Sequence, residues 1–165
     1  MKKSVKRILV LVLAALSAFA LCACGSNKKA TVSMYDLSKA MLAADDTFPK
    51  MAYASDSDEE AETNFTYFSD MDYSKVEHYF LSYSESGAAD EIVVIAVKNA
   101  NDAKDAAETL KVHLNNRQGL FEEYDAEQAA RADKGIVFYT EQYAVLVICD
   151  NPSKVKDAFT AFIAG

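Results

Sequence analysis

The sequence predicts an α+β fold: a single domain with a mixed or antiparallel sheet of about four strands, and with helices packed mainly on one face. Two observations predict this fold. Apolar runs of strand length occur as two hairpin-like pairs, in residues 76–98 and 136–149, and segments of helical periodicity precede, separate and follow these pairs. Residues 32–165 have the length of one domain with its own core.

The first element is a helix predicted at residues 31–44. Ser33 and Asp36 have the spacing of a capping box, which starts a helix, and three apolar residues recur on one helical face, namely Met34, Leu37 and Met41. Pro49 ends the pattern, because the residue before a proline is pushed out of the α region.

Residues 45–72 form a strongly acidic segment, with nine Asp and Glu residues and a single base, Lys50. Seven aromatic or methionine side chains lie among these charges: Phe48, Met51, Tyr53, Phe65, Tyr67, Phe68 and Tyr73. The sequence predicts irregular chain with one helical turn near residues 59–64, held against the domain by its aromatic side chains.

The strands follow. Residues 76–84 place Tyr79, Leu81 and Tyr83 on one face, and residues 91–98 are apolar on both faces, as in a central strand. The second pair is predicted at residues 136–140 and 143–149, with a turn at about Glu141-Gln142.

Three further helices separate and close these pairs. Asn101 or Asp102 begins a long helix that runs to about Gly119. Asp125 and Gln128 have the spacing to cap a short helix that stops before Gly135, and Asn151-Pro152 opens the last helix. Each helix has an apolar stripe for one buried face.

The first 23 residues have the pattern of a signal peptide. A basic start with four Lys and Arg residues precedes an uncharged run of 16 residues, from Ile8 to Ala23. A membrane-spanning helix needs roughly 20 apolar residues, so this run is short for a span and has the length of a signal-peptide apolar region. We therefore leave residues 1–23 out of the fold.

The run ends Leu21-Cys22-Ala23-Cys24, which resembles the lipobox of bacterial lipoproteins. The resemblance implies lipidation of the Cys24 thiol, cleavage just before Cys24, and a short linker in residues 24–31. Ordinary secretory cleavage and an uncleaved anchor are the alternatives. The expected location is the extracytoplasmic face of the cell membrane, held by acyl chains such as palmitate.

Removal of residues 1–23 takes away four of the 17 Lys and Arg residues and none of the 25 Asp and Glu residues, which leaves a net charge of −12. Nucleic acids and anionic lipid head groups are poor partners for such a surface. The expected partners are the membrane, through the lipid on Cys24, and an envelope protein or cell-wall material.

No pattern in the sequence predicts a catalytic, cofactor-binding or metal-binding site. Asp56-x-Asp58-x-Glu60 begins like a calcium loop, but Ala61 stands where the loop needs glycine. His78 and His113 lack a neighbouring ligand and are interpreted as surface or satisfied histidines. Cys149 lies in an apolar run, which predicts a buried, inert thiol.

The polar pair Arg117-Gln118 has a functional and a structural interpretation. The functional one is contact with an anion or a carboxylate. The structural one is a cation at the helix C-terminus, in an ion pair with a nearby acid such as Glu122 or Glu123, and we favour it.

Several motifs resemble an uncharacterised bacterial lipoprotein family, the domain-of-unknown-function family 4358, over residues 32–162. They are the strand opening Ala89-Asp90-Glu91-Ile92, the helix end Arg117-Gln118 with Phe121 and Tyr124, the pair Glu127-Gln128, and the strand Tyr143-Ala144-Val145-Leu146. The chain departs from the family pattern at Ala126, where a proline is expected. The resemblance implies an extracytoplasmic lipoprotein without a known activity.

The sequence thus favours a membrane-anchored binding or accessory module without enzyme activity. The alternative is a hydrolase-like envelope enzyme whose site is assembled from residues distant in sequence. We expect no cofactor and no metal for the favoured module.

Overall fold

The computed structural model describes residues 32–165, which form one compact unit. The predicted signal peptide (1–23) and the predicted linker with the lipidated Cys24 (24–31) lie outside the described residues. No helix within residues 32–165 is long and apolar enough to cross a membrane.

The described part of the chain contains five strands and five α-helices. The strands are β1 (Met51–Ser55), β2 (Val76–Ser84), β3 (Glu91–Val97), β4 (Ile136–Thr140) and β5 (Tyr143–Ile148). The helices are α1 (Met34–Leu42), α2 (Ala61–Phe65), α3 (Ala103–Glu122), α4 (Ala126–Ala132) and α5 (Pro152–Ala164).

The strands form a single antiparallel sheet in the order β1-β2-β3-β5-β4. The α+β class and the two hairpin-like pairs are confirmed. The pairs join through β3 and β5, where Val93 lies opposite Leu146. Because these two strands are central, every residue in them is buried, as their two-sided apolar pattern predicts.

Strand β1 was not predicted, and it makes the sheet five-stranded. It pairs with β2, with Tyr53 opposite Ser82, at one edge of the sheet. Ala52 and Ala54 have weak strand propensity and give no apolar alternation. Pairing with a strong neighbouring strand, and not a local pattern, therefore makes this segment extended.

The rest of the acidic segment follows the prediction. Helix α2 supplies the expected helical turn, and aromatic side chains hold it against the sheet. The ring centroids of Phe65 and Phe68 lie 5.4 and 5.5 Å from that of Tyr79. The Tyr79 hydroxyl donates a hydrogen bond of 2.6 Å to the carbonyl of Ala61, which fixes the start of α2.

The helices cover both faces of the sheet, in contrast to the predicted packing mainly on one face. Helices α1 and α5 pack on one face, against a buried cluster that includes Phe80 and Val145. Helices α3 and α4 pack on the other, against a cluster that includes Val93 and Leu146. The physical reason is that β3 and β5 are apolar on both sides, so each face needs a cover.

Two of the predicted helix starts, at Ser33 and Asp125, are capped by side chains. Asp102 makes no side-chain cap hydrogen bond at the start of α3, and Gln128 accepts a bond from Ala89 outside its own helix. The side chain of Ser33 accepts a hydrogen bond from the Asp36 backbone amide, and Asp125 accepts bonds from the amides at the start of α4. Helix α3 continues past Gly119 to Glu122. The turn after α4 needs glycine, because a Cβ at Gly135 would lie 2.8 Å from the backbone carbonyl oxygen of Ala132 as well as 2.7 Å from Leu114 Cδ1.

Candidate functional site

A cleft of about 590 Å³ opens on the side of the sheet that α3 covers. Strands supply part of its lining, with Ala54, Leu81, Tyr83 and Glu91. Two helical regions supply the rest, namely α2 and the turn after it (Asn64, Tyr67, Phe68) and α3 (His113, Arg117). The turn between β2 and β3 completes the rim.

Three polar side chains meet in the cleft: Glu91, His113 and Arg117. Glu91 is the first residue of β3 and faces α3, where His113 and Arg117 lie four residues apart and so on one helical face. His113 Nε2 lies 2.6 Å from Glu91 Oε1, at hydrogen-bond distance. Arg117 Nε lies 3.5 Å from Glu91 Oε2 and forms an ion pair with it.

These three side chains are largely buried. The exposed fraction of the side chain is 6% for Glu91, 15% for His113 and 21% for Arg117. A buried carboxylate is costly unless it is paired, and the two α3 side chains supply the pairing for Glu91. The network is incomplete, however, since the buried Nε of Arg117 makes no hydrogen bond within residues 32–165.

The guanidinium group of Arg117 is held in place from two sides. One of its terminal nitrogens, Nη2, donates a hydrogen bond of 3.1 Å to the carbonyl of Ala88. The guanidinium carbon lies 4.9 Å from the ring centroid of Phe121, one helical turn further along α3. The side chain is therefore positioned before any ligand arrives.

The rim of the cleft is fastened to α4. The backbone amide of Ala89 donates a hydrogen bond of 2.8 Å to Gln128 Oε1. Arg131 bridges Asp90 and Asp150 at 2.7 and 2.9 Å. Burial raises the pKa of Asp90, although the neighbouring Arg131 opposes this shift. The turn that carries Ala88 and leads into Glu91 is thus fixed.

Aromatic rings line the cleft beside this polar network. Tyr67 has an exposed fraction of 71% and Tyr83 of 42%, while Phe68 is buried against the core. Rings of this kind offer a large apolar face together with a hydroxyl group. The cleft therefore combines aromatic walls with a few fixed polar groups, as small-molecule sites do.

The family model for the domain of unknown function DUF4358 matches residues 51–149, which is more than half of the chain. The chain belongs to this family. The matched residues run from β1 to the end of β5 and contain every residue that lines the cleft. No curated protein and no solved structure matches the chain.

Two of the motifs that resemble DUF4358 meet at this cleft: Glu91 from the strand opening pairs with Arg117 from the helix end, and both line the cleft. Arg117 also bonds to Ala88, and Gln128 from the short helix bonds to Ala89, at the rim. The strand Tyr143-Ala144-Val145-Leu146 and Tyr124 are not among the lining residues.

The predicted ion pair of Arg117 with Glu122 or Glu123 is wrong. Arg117 pairs with Glu91, which is 26 positions earlier in the chain. Glu122 and Glu123 stand at and just after the end of α3, and both are exposed. The predicted partners were near in sequence, and the one that the fold supplies comes from β3. Gln118 makes only a long contact of 3.4 Å with the carbonyl of Ala132.

The two histidines do not lie together. His113 lines the cleft, whereas His78 Nδ1 lies 2.8 Å from Asp56 Oδ2 outside it. Each histidine has a carboxylate partner, which agrees with the interpretation of both as satisfied side chains. Cys149 is buried, as predicted, and burial raises its pKa to about 12.

The resemblance of residues 56–60 to a calcium loop has another explanation in the structure. Asp56 accepts a hydrogen bond from the Tyr79 amide, and Asp58 accepts one from the Ser55 amide. The Asp58 carboxylate thus closes the turn after β1, and that of Asp56 holds this turn to β2. Among residues 32–165, no three His, Cys, Asp or Glu side chains are placed to hold a metal ion.

Proposed function

We propose that this DUF4358 protein is an extracytoplasmic lipoprotein whose domain binds a ligand in the cleft beside Glu91, as a binding or accessory module of the cell envelope. The observation that carries the binding role is the fixed, incompletely satisfied network of Glu91, His113 and Arg117 in that cleft. A ligand would bond to Nη1 of Arg117, which makes no hydrogen bond within residues 32–165, whereas the buried Nε faces Glu91.

The dimensions and chemistry of the cleft support binding. Its volume lies within the range of roughly 300–1,000 Å³ that small-molecule sites occupy. Nη1 of Arg117 makes no hydrogen bond within residues 32–165, although the guanidinium is already oriented. A site that is ordered before binding pays less conformational entropy when its ligand arrives.

The anchor is proposed from the N-terminal sequence. Replacement Cys24→Ala should abolish incorporation of labelled palmitate and move the protein from the detergent phase to the aqueous phase. Cys22→Ala is the matched control, since it changes the neighbouring thiol only and should leave the label in place. Unchanged labelling of the Cys24→Ala protein would contradict the anchor.

Binding in the cleft is tested with the full chain, labelled with ¹⁵N, and a panel of four probe classes. These are uncharged oligosaccharides, dipeptides, inorganic polyphosphate and polyamines. We expect one class to shift the amide signals of Glu91, His113 and Arg117 in a saturable manner, with the signals of Tyr139 on β4 as an internal control. If none of the four probe classes shifted the amide signals of the cleft residues at millimolar concentration, the result would count against the proposal.

A second candidate is a hydrolase-like envelope enzyme, and the pair of His113 with Glu91 favours it. A carboxylate on one ring nitrogen orients a histidine so that the other nitrogen can act as a base. Hydrolysis of a chromogenic ester or glycoside that is lost in His113→Gln but retained in His78→Gln would support this candidate. Equal rates for the two variants would remove it.

A further inference from the structure

The charged groups of the cleft neutralise one another. Glu91 is paired with Arg117 and contacts His113, and Glu85 on the rim forms an ion pair of 2.8 Å with Lys50. A ligand with a net charge would therefore find no unpaired opposite charge in the cleft. Displacing one member of a pair would leave its partner uncompensated, which is costly for groups as buried as Glu91.

The net charge of the whole domain also disfavours the binding of anions. Without residues 1–23 the chain carries a net charge of −12, and this field repels polyanions such as phosphate polymers. Arg117 gives no net attraction for an anion, because Glu91 already balances it. The same field attracts cations, but the two acids that line the cleft, Glu85 and Glu91, are already paired with Lys50 and Arg117. The electrostatics of the cleft itself therefore favour an uncharged ligand.

The hydrogen-bonding groups that remain free are of mixed type. Asn64, Tyr67 and Tyr83 line the cleft, and their side-chain polar groups make no hydrogen bond within residues 32–165. The amide of Asn64 and the two hydroxyls can each donate and accept, while Arg117 adds a donor. Sugar hydroxyl and acetamido groups also donate and accept, so they match this set.

The aromatic side chains of the cleft match the apolar surface of a sugar. Tyr67 and Tyr83 are the cleft aromatics with large exposed fractions, and Phe68 lies beside Tyr67. A sugar ring has an apolar C–H face that can pack flat against an aromatic ring, and its rim of hydroxyls remains available for polar side chains. The residues of the cleft provide both kinds of surface.

From the neutralised charges, the mixed donors and acceptors and the exposed rings, we infer that the ligand of the cleft is an uncharged oligosaccharide. This inference rests on the proposed binding function. Two sources share this chemistry, an N-acetylated glycan strand of the cell wall and a plain glucan. The trisaccharides tri-N-acetylchitotriose and maltotriose represent the two sources.

The test uses the full lipidated chain in a detergent without a sugar head group, so that the detergent does not compete. Titration with each trisaccharide is followed by tyrosine fluorescence, which is not masked because the chain contains no tryptophan. We expect saturable binding of at least one trisaccharide, with a dissociation constant that does not change between 0.1 and 0.5 M salt, since an uncharged ligand is not screened.

Tyr67→Ala is the deciding variant, because its exposed ring can be removed without disturbing the core. We expect about tenfold weaker binding in this variant. Tyr139→Ala is the matched control: it removes an equally large exposed ring from β4, far along the sheet from β1 and β2, and should bind as the unmodified protein does.

Three results would overturn the inference. The first is binding of dipeptides, polyphosphate or polyamines in the cleft with no response to either trisaccharide, which would leave the proposed binding function intact. The second is trisaccharide binding that Tyr67→Ala leaves unchanged. The third is silence toward every probe class, which would remove the inference and the proposed function together.

Discussion

Two buried carboxylates, Asp45 and Glu91, are held in different ways by this fold. Asp45 follows α1 and accepts hydrogen bonds from the amide and hydroxyl of Thr47 at 3.1 and 2.9 Å. It also accepts bonds from the backbone amide and the side chain of Asn151, at 2.8 and 3.2 Å. Both oxygens of Asp45 are satisfied, and Asp45 does not line the cleft beside Glu91.

Glu91 has fewer contacts than Asp45 although it is almost as buried. One oxygen bonds to His113, and the other faces an Arg117 Nε that makes no hydrogen bond within residues 32–165. A complete set of partners is what a purely structural carboxylate requires. The proposed binding role of Glu91 rests on this smaller set of partners and on its position in the cleft.

The largest effect that separates the two sites is expected for Asp45→Ala. Loss of this carboxylate leaves the buried donors of Asn151 and Thr47 without partners and detaches the loop after α1 from the start of α5. We expect the free energy of unfolding to fall by about 3 kcal/mol. Urea denaturation measures this.

The exposed neighbour Asp46 supplies the control for that measurement, since Asp46→Ala should change the free energy of unfolding by less than about 0.5 kcal/mol. An Asp45→Ala protein as stable as the control would mean that the hydrogen bonds of Asp45 contribute little to folding. The contrast with Glu91 would then disappear.

A second difference lies in the pH dependence of stability. Burial acts to raise the pKa of Asp45, but the hydrogen bonds from Thr47 and Asn151 prevail and lower it to about 2. The stabilisation by the ionised group is therefore complete above the unfolded-state pKa of about 3.9 and is lost as the pH falls through about 2. The loss amounts to about 2 kcal/mol.

The Asp45→Asn protein isolates this term, because it has no group that titrates at position 45. We expect the difference in unfolding free energy between the unmodified protein and the variant to shrink by about 2 kcal/mol from pH 5 to pH 2. A difference that stays constant over this range would show that Asp45 is not the titrating group.

The elements that local patterns encode were predictable, and the site was not. Strands β2 to β5 and helices α3 to α5 follow from apolar periodicity, caps and turns, which are properties of neighbouring residues. Strand β1 depends on its pairing with β2 and lacks a pattern of its own. Strands β3 and β5 are apolar on both faces, which implies that helices cover both faces of the sheet. Which helix covers which face is seen only in the packing of the structure.

The cleft illustrates the same limit for function. Arg117 was recognisable as a polar residue of interest, whereas its partner Glu91 looked like an ordinary acid at the start of a strand. Their contact depends on how α3 crosses β3, which no local spacing encodes. One available signal was an acid opening a strand that is otherwise wholly apolar, since such a residue needs a partner from another element.

A third and smaller effect is expected for Glu91→Gln. The amide retains a hydrogen-bonding group near His113 but leaves the largely buried charge of Arg117 without a carboxylate. The free energy of unfolding should fall by about 1.5 kcal/mol, because part of the Arg117 side chain reaches the cleft. The variant also frees the charge of Arg117. Affinity of the cleft for polyphosphate, absent in the unmodified protein, should therefore appear at low salt.

New polyphosphate binding with a small loss of stability would separate the two carboxylates. Asp45 would then act mainly in stability, and Glu91 mainly in binding. The double variant Glu91→Gln/Arg117→Gln is the matched control for the new affinity, since it removes the freed charge and should not bind polyphosphate. A loss of stability in Glu91→Gln as large as that in Asp45→Ala would instead make both carboxylates structural.

The smallest effect is expected at Cys149, which lies directly before the stretch that Asp45 holds. Burial in the core raises its pKa to about 12, and the nearby Asp45 carboxylate disfavours the thiolate further. Iodoacetamide reacts with thiolates, so the folded protein should stay unmodified at Cys149 for hours at pH 8, as peptide mass spectrometry can show. In the Asp45→Ala variant, Cys149 should react faster, because a larger fraction of the protein is unfolded. In the Glu91→Gln variant, Cys149 should react nearly as slowly as in the natural sequence. Equally fast modification of Cys149 in Glu91→Gln and Asp45→Ala would mean that the two substitutions destabilise the fold alike. Only the binding measurements could then distinguish the roles of the two carboxylates.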